Sequence, residues 1–168
     1  MIIGVIADTH GLLRPEALAA LRGSERIIHA GDVDGPEILA ALAALAPVTV
    51  VRGNNDLGRW AEAIPTAAVV EACGVSIYVI HNIAEIDLDP AARGFGVVVA
   101  GHSHKPLCET RRQVLYFNPG SAGPRRFRLP VSVGRLTIEA GVVHGEILIL
   151  DSGQSALDQG RRPTKSSW

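Results

Sequence analysis

Three short apolar runs at 2–7, 26–30 and 48–52 alternate with two helical stretches at 15–22 and 36–46. The first run, Ile2-Ile3-Gly4-Val5-Ile6-Ala7, is β-branched and does not alternate with polar residues, so it reads as a strand covered on both faces. Both helical stretches open on a proline, Pro15 and Pro36, and the first stops at Gly23, as helix punctuation requires. This β-α-β-α-β order predicts parallel strands joined by right-handed crossovers, with the functional loops gathered at the strands' carboxyl ends.

Beyond residue 60 the rhythm changes. Runs at 67–72 and 75–80 are separated only by Cys73-Gly74, close enough for a hairpin. Further strands are expected at 95–100, 113–117, 131–139 and 142–150, the last two hinged at Ala140-Gly141. A parallel half followed by an antiparallel half predicts two sheets packed face to face with helices outside. With 168 residues, 47% of them hydrophobic, the chain is expected to form one domain over 1–151 that folds unaided. A polar, loosely ordered tail is expected at 152–168.

The formal charge of −1 supplies no global attraction to nucleic acid or to an anionic membrane. The run at 2–7 lacks a basic flank and meets Asp8 too early for a signal peptide. The apolar stretch at 38–51 is broken by Pro47 and is shorter than the roughly 20 residues that span a bilayer. Cys73 and Cys108 form no CxxC pair and read as small buried hydrophobes in a reducing compartment, so a cytoplasmic location is expected.

Polar groups able to hold a metal stand just past several of these strands. They are Asp8-Thr9-His10, Gly31-Asp32, Gly53-Asn54-Asn55-Asp56, His81 and Gly101-His102-Ser103-His104. In extended backbone, residues i and i+2 share a side, so Asp8 with His10, and His102 with His104, are expected as two-pronged pairs. Each motif alone has a bland reading: an aspartate there forms a turn or caps a helix, and a single histidine is simply hydrogen-bonded. Five in order, all at carboxyl ends, point instead to a metal site.

This order of DxH, GD, GNxD, a lone H and GHxH resembles the calcineurin-like metallophosphoesterase superfamily, over 1–150. Asn118-Pro119-Gly120-Ser121, with no inserted cap domain, is similar to its small single-domain bacterial and archaeal phosphodiesterase branch. The resemblance implies a four-layer α/β/β/α sandwich of two mixed β-sheets flanked by helices. It implies that Asp8, His10, Asp32 and His104 hold one divalent ion and Asp32, Asn54, His81 and His102 a second, with Asp32 shared. Mixed carboxylate, imidazole and amide donors suit transition metals, manganese foremost and iron, nickel, cobalt or zinc as alternatives. Asp8 and Asp32 cancel only half the charge that two divalent ions bring, and neutral Asn54 adds a donor without cancelling more. The implied reaction is hydrolysis of a phosphodiester by in-line attack of a metal-bridging hydroxide, with no covalent enzyme intermediate.

One position departs from the family pattern. Many members carry histidine as the third residue of GNxD, where it can protonate the leaving alkoxide, and this chain has Asn55. A neutral amide is a poor proton donor, so leaving groups are activated, or a metal-bound water helps, or Asn55 orients substrate. Asp32, Asn55 and Asp56 are the candidate catalytic residues, Asp56 through hydrogen bonds that support the loop or a ligand.

Arg125, Arg126 and Arg128 read first as a solvated basic loop and second as phosphate contacts. Asn118 and Gly120 read as a tight turn beside the site, His29 as a core or supporting histidine, and His144 as unrelated to it. Arg161, Arg162 and Lys165 are expected to be solvated tail charges. The expected partner is a small or accessible phosphodiester, with no signal for membrane or nucleic acid, and exposed strands in the second half offer a surface for a homodimer. The competing reading is a non-catalytic protein-interaction scaffold, like the retromer subunit that shares this fold with altered motif residues. A metallo-hydrolase of C–N or carboxylic ester bonds would use the same activated water without the motif match. Competent ligands at all seven positions favour catalysis, and Asn55 alone leans toward the scaffold.

Overall fold

Residues 1–150 are described by the structure, a computed structural model; the tail expected at 152–168 lies outside the described residues. Strand β1 (Ile2–Ile6) pairs in parallel with β2 (Arg26–His29), and β2 with β3 (Val48–Val50). Parallel neighbours cannot be joined by a tight turn, and α1 (Pro15–Leu21) and α2 (Pro36–Ala43) supply the crossovers. The chain then passes a single helical turn, α3 (Arg59–Glu62), and builds the second sheet. Its strands are β4 (Ala67–Ala72), β5 (Val75–Ile80), β6 (Val97–Val99), β7 (Leu107–Arg111) and β8 (Val114–Asn118). They lie in the order β4-β5-β6-β8-β7, with β5, β6 and β8 parallel and the two edges antiparallel.

The C-terminal hairpin, β9 (Ser132–Glu139) and β10 (Val142–Ile149), returns to the first sheet, where β9 runs antiparallel to β1. That sheet is therefore ordered β10-β9-β1-β2-β3. The expected division into a parallel half and an antiparallel half is corrected: both sheets are mixed, five strands each. Alternation in β9 sends Leu136 and Ile138 into the space between the sheets and Val133 to the opposite face. Such a pattern fixes which side chains are buried, but not which strand lies alongside. Strand β7 was not anticipated, because Leu107-Cys108-Glu109-Thr110-Arg111 is mostly exposed and is held by its pairing to β8.

Two apolar clusters separate three layers. Ile3, Val5 and Ile28 of the first sheet meet Ile77, Val79, Val97 and Val99 of the second. On the outer face of the first sheet, Ile6 and Ile27 meet Ala17 and Leu21 of α1 and Ile38 and Leu42 of α2. The fourth layer differs from the helix expected there. The 81–96 connection contains only a 3-10 turn, Ile83–Glu85, yet Val98 beneath the outer face is fully buried and Phe95 packs on Tyr78 with ring centroids 5.2 Å apart. Pro90, Gly94 and Gly96 deny this segment a continuous helix.

The ring of Phe117 lies against two glycines of the opposite sheet, Gly134 and Gly145. A methyl group at Gly134 would overlap that ring. Gly134→Ala is expected to cost about 1–3 kcal/mol, read as a lower urea midpoint at unchanged slope. Cys73 and Cys108 are both exposed, correcting the expectation of burial. Cys73 sits in the β4–β5 turn at φ +48, and Cys108 on edge strand β7, where its Sγ meets the Gly145 carbonyl at the rim of the opposite sheet. No helix among the described residues is long and apolar enough to cross a membrane.

Candidate metal centre

All seven candidate ligands lie just beyond the carboxyl ends of parallel strands: Asp8 and His10 after β1, Asp32 after β2, Asn54 after β3, His81 after β5, His102 and His104 after β6. The first four come from one sheet and the last three from the other. Their loops are not extended. Asp8, His10, Asp32, His102 and His104 have left-handed backbone, φ between +46 and +65, a region that aspartate and histidine tolerate better than most residues. The expected two-pronged pairs are corrected accordingly. Asp8 and His10 do meet, but His102 and His104 diverge, His104 joining Asp8 and His10 while His102 turns to Asn54.

Two sets of donors result. In the first, His10 Nε2 is 3.3 Å from His104 Nε2, which is 3.6 Å from Asp8 Oδ1. In the second, Asn54 Oδ1 is 3.2 Å from His81 Nε2 and 3.0 Å from His102 Nδ1. Asp32 Oδ2 lies between them, 3.8 Å from His10 Nε2 and 3.4 Å from His81 Nε2. Asp8 also reaches both sides, forming a close triad with Asp32 and His81 as well as one with His10 and His104.

Two of the histidines are aimed by their second nitrogen. His81 Nδ1 donates to the Ala30 carbonyl at 2.7 Å, and His10 Nδ1 to Asp34 Oδ2 at 2.9 Å, leaving each Nε2 toward the aspartates. Asn55 donates its backbone N–H to Asp32 Oδ1 at 2.8 Å and its side-chain amide to Asp32 Oδ2 at 2.9 Å. It holds the shared carboxylate by both oxygens. Asp56, 3% exposed, touches no candidate ligand's side chain. Its Oδ1 accepts from the N–H groups of Val33 and Asp34, and its Oδ2 from those of Asp32 and Gly53, at 2.7 to 3.0 Å. It positions the loops after β2 and β3 against each other.

The Asn118–Ser121 turn braces the remaining loops. Asn118 Nδ2 donates to the Gly101 carbonyl and to Ser103 Oγ, and Ser121 Oγ donates to the Asp8 carbonyl. In the sequence Thr9 and Ser121 stand only as members of their motifs, with no role of their own, and Asp34 was missed although it lies two residues past Asp32. His29 is fully buried and works through Thr9. The Gly31 N–H donates to His29 Nδ1, His29 Nε2 donates to Thr9 Oγ1 at 3.0 Å, and the Thr9 hydroxyl donates to the Val33 carbonyl. His144 is exposed on edge strand β10, away from this network.

Burial, reinforced by the charge of His81, lowers the pKa of His29 to about 3. The unfolded imidazole titrates near 6.5, so below that pH the unfolded state takes up a proton that the folded state refuses. The contribution of His29 therefore falls by about 1.4 kcal/mol per pH unit between about 6.5 and 3. The stability advantage of the wild type over His29→Asn, measured by urea unfolding, is expected to shrink by about 2–3 kcal/mol from pH 7.5 to 4.5. A constant advantage would mean that the folded imidazole takes up the proton.

Burial drives Asp8 up to about 7, and lowers His104 to about 4 with help from Arg126 and His10. Burial also works against an ionised Asp32, but hydrogen bonds from His81 and the Asn55 backbone N–H outweigh it and hold the group at about 2. Asp8 Oδ2 and His104 Nδ1 are buried without hydrogen-bond partners. A buried carboxylate oxygen facing no donor is costly unless a cation meets it, and the donor set around it is the mixture a divalent transition metal accepts. The residues present fit such an ion.

Two mixed five-stranded sheets with a carboxylate and imidazole centre at their common edge define a metal-dependent phosphoesterase sandwich. The chain belongs to the calcineurin-like phosphoesterase superfamily, whose domain model matches residues 1–141. It is 34% identical over 160 residues to a probable metallophosphoesterase of Methanothermobacter thermautotrophicus, a match covering 88% of this chain and 92% of that protein. An archaeal phosphodiesterase of known structure superposes with a TM-score of 0.73 at 24% identity, over 88% of this chain and all of that one. Vps29 of Entamoeba histolytica complexed with Zn²⁺ superposes with a TM-score of 0.68 at 21% identity, over 90% of this chain. At these identities the two structures bear on the fold alone.

Proposed function

We propose that the protein is a phosphodiesterase that works with two divalent metal ions, manganese first among the candidates. The observation that carries this reading is Asp32 Oδ2, set between two groups of nitrogen donors. Asp8, His10, Asp32 and His104 would hold one ion, and Asp32, Asn54, His81 and His102 the other. Ions there would supply Lewis acidity toward the phosphoryl oxygens and a water acidified enough to act as nucleophile.

The chain's own residues set the rest. Asn54 adds a donor without negative charge, which keeps the centre attractive to a phosphodiester anion. Asn55 fixes the orientation of Asp32 and offers no proton to a leaving alkoxide, so esters with acidic leaving groups are the better substrates. Asp56 keeps Asp32 and Asn54 in register through backbone contacts on both loops.

Protein purified without chelator is expected to carry about two transition-metal ions per chain. With Mn²⁺ it is expected to hydrolyse bis(p-nitrophenyl) phosphate, and heavy-oxygen water to label the released monoester. A trapped phosphoenzyme would contradict direct attack. The second reading, a protein-interaction scaffold, is favoured by Asn55; a protein that binds the metals tightly and turns over no ester would shift the reading to it.

A further inference from the structure

Two loops flank the metal-facing histidines: 102–105, after β6, and 122–131, between β8 and β9. Between them lies a cavity of about 900 Å³, a size that takes a small organic ligand. It shares His102 and His104 with the metal centre, so a phosphodiester bound there would direct one ester arm into it. The second loop is moored to the site itself. The Ala122 and Gly123 N–H groups donate to the carbonyls of Ala7 and Asp8, and Arg14 donates to the Gly123 carbonyl from Nε and Nη2.

The lining is cationic. Lys105, Arg126 and Arg128 face the cavity, no carboxylate does, and Arg125 is not part of it. Arg126 Nη2 lies 3.3 Å from His10 Nε2, the nitrogen that faces Asp32, so its guanidinium stands where the metal centre opens to the cavity. Phe127 stands beside it, 94% exposed and at φ +53. A bulky side chain rarely adopts that backbone conformation, and a phenyl ring gains nothing from full exposure to water. Such outliers persist at sites where the strained conformation presents a group to a ligand.

We infer that this cavity seats the retained ester arm of the substrate, and that the arm is a nucleoside. Its base stacks on Phe127, its phosphate meets Arg126, and any further anionic group meets Lys105 or Arg128. Phe127 and Leu129 set apolar surface among three cations, so an arm with a flat apolar face and polar edges matches the lining better than an alkyl chain, which would leave the cations unpaired.

This inference rests on the phosphodiesterase reading, and two measurements separate their fates. Thymidine 5′-(p-nitrophenyl phosphate) and methyl p-nitrophenyl phosphate release the same leaving group and differ in the retained arm. In the Mn²⁺-loaded full chain the thymidine ester is expected to react with about tenfold higher kcat/KM, and Phe127→Ala to bring the ratio near unity. Equal kcat/KM values in the wild type overturn the nucleoside subsite while the phosphodiesterase stands. Independently of turnover, adenosine monophosphate is expected to bind about tenfold more tightly than ribose 5-phosphate by calorimetric titration, the gap closing in Phe127→Ala. Equal binding of the two overturns the subsite. Preference for adenosine monophosphate in a protein inert toward both diesters upholds the subsite and removes the phosphodiesterase reading.

Discussion

Asp32→Asn is expected to lower kcat/KM for bis(p-nitrophenyl) phosphate with Mn²⁺ by at least about 10³-fold, since it removes a negative charge set between the two donor sets. Hydrogen bonds from His81 and the Asn55 backbone N–H outweigh burial and leave this carboxylate with a pKa of about 2, so it is ionised across the working pH range. The substitution keeps the shape of the side chain. It puts an amide where one oxygen now meets His81 Nε2 at 3.4 Å and the Asn55 amide at 2.9 Å, setting donor against donor. Metal content should fall with activity, while circular dichroism stays that of the wild type. Turnover within tenfold of the wild type would remove Asp32 from the centre of the chemistry.

Asp56→Ala is expected to destabilise the protein by about 4 kcal/mol, because four backbone N–H groups lose a charged acceptor in a site too buried for water to replace it. That is a large part of the 5–15 kcal/mol, roughly, by which domains of this kind are stable. Asp56→Asn should cost about half as much, since one oxygen still accepts while the amide nitrogen confronts the other pair of donors. Urea unfolding measures both. Metal affinity should fall alongside in Asp56→Asn, which still folds, because the loops bearing Asp32 and Asn54 lose their common anchor. A loss below about 1 kcal/mol in Asp56→Ala would mean that the two loops hold their shape unaided.

The gathering of the candidate ligands was legible because metal-binding side chains seldom recur at the ends of successive apolar runs, and the runs themselves are marked by unbroken β-branched residues. The seating of the last hairpin was not legible. Alternation in β9 reads the same whether its neighbour is β8 or β1, and only the packing of Leu136 against Ile3 across the strand pair decides it. The braces were hidden for another reason. Ser121 acts on the carbonyl of Asp8 across 113 residues, and Asn118 on that of Gly101, and a backbone acceptor has no residue type to betray it. Arg126 and Arg125 are adjacent and chemically identical; the course of the loop alone sends the first to the cavity.

The position of β1 between β2 and β9 bears on how the chain is made. Ile3 pairs on one side with Arg26, a couple of dozen positions on, and on the other with Leu136. On the ribosome the first three strands can assemble early, but one flank of β1 stays bare until residues 132–139 have emerged. An unpaired β-branched edge is what intermolecular aggregation exploits, so the interval before the final hairpin docks is the vulnerable stage of this protein's synthesis.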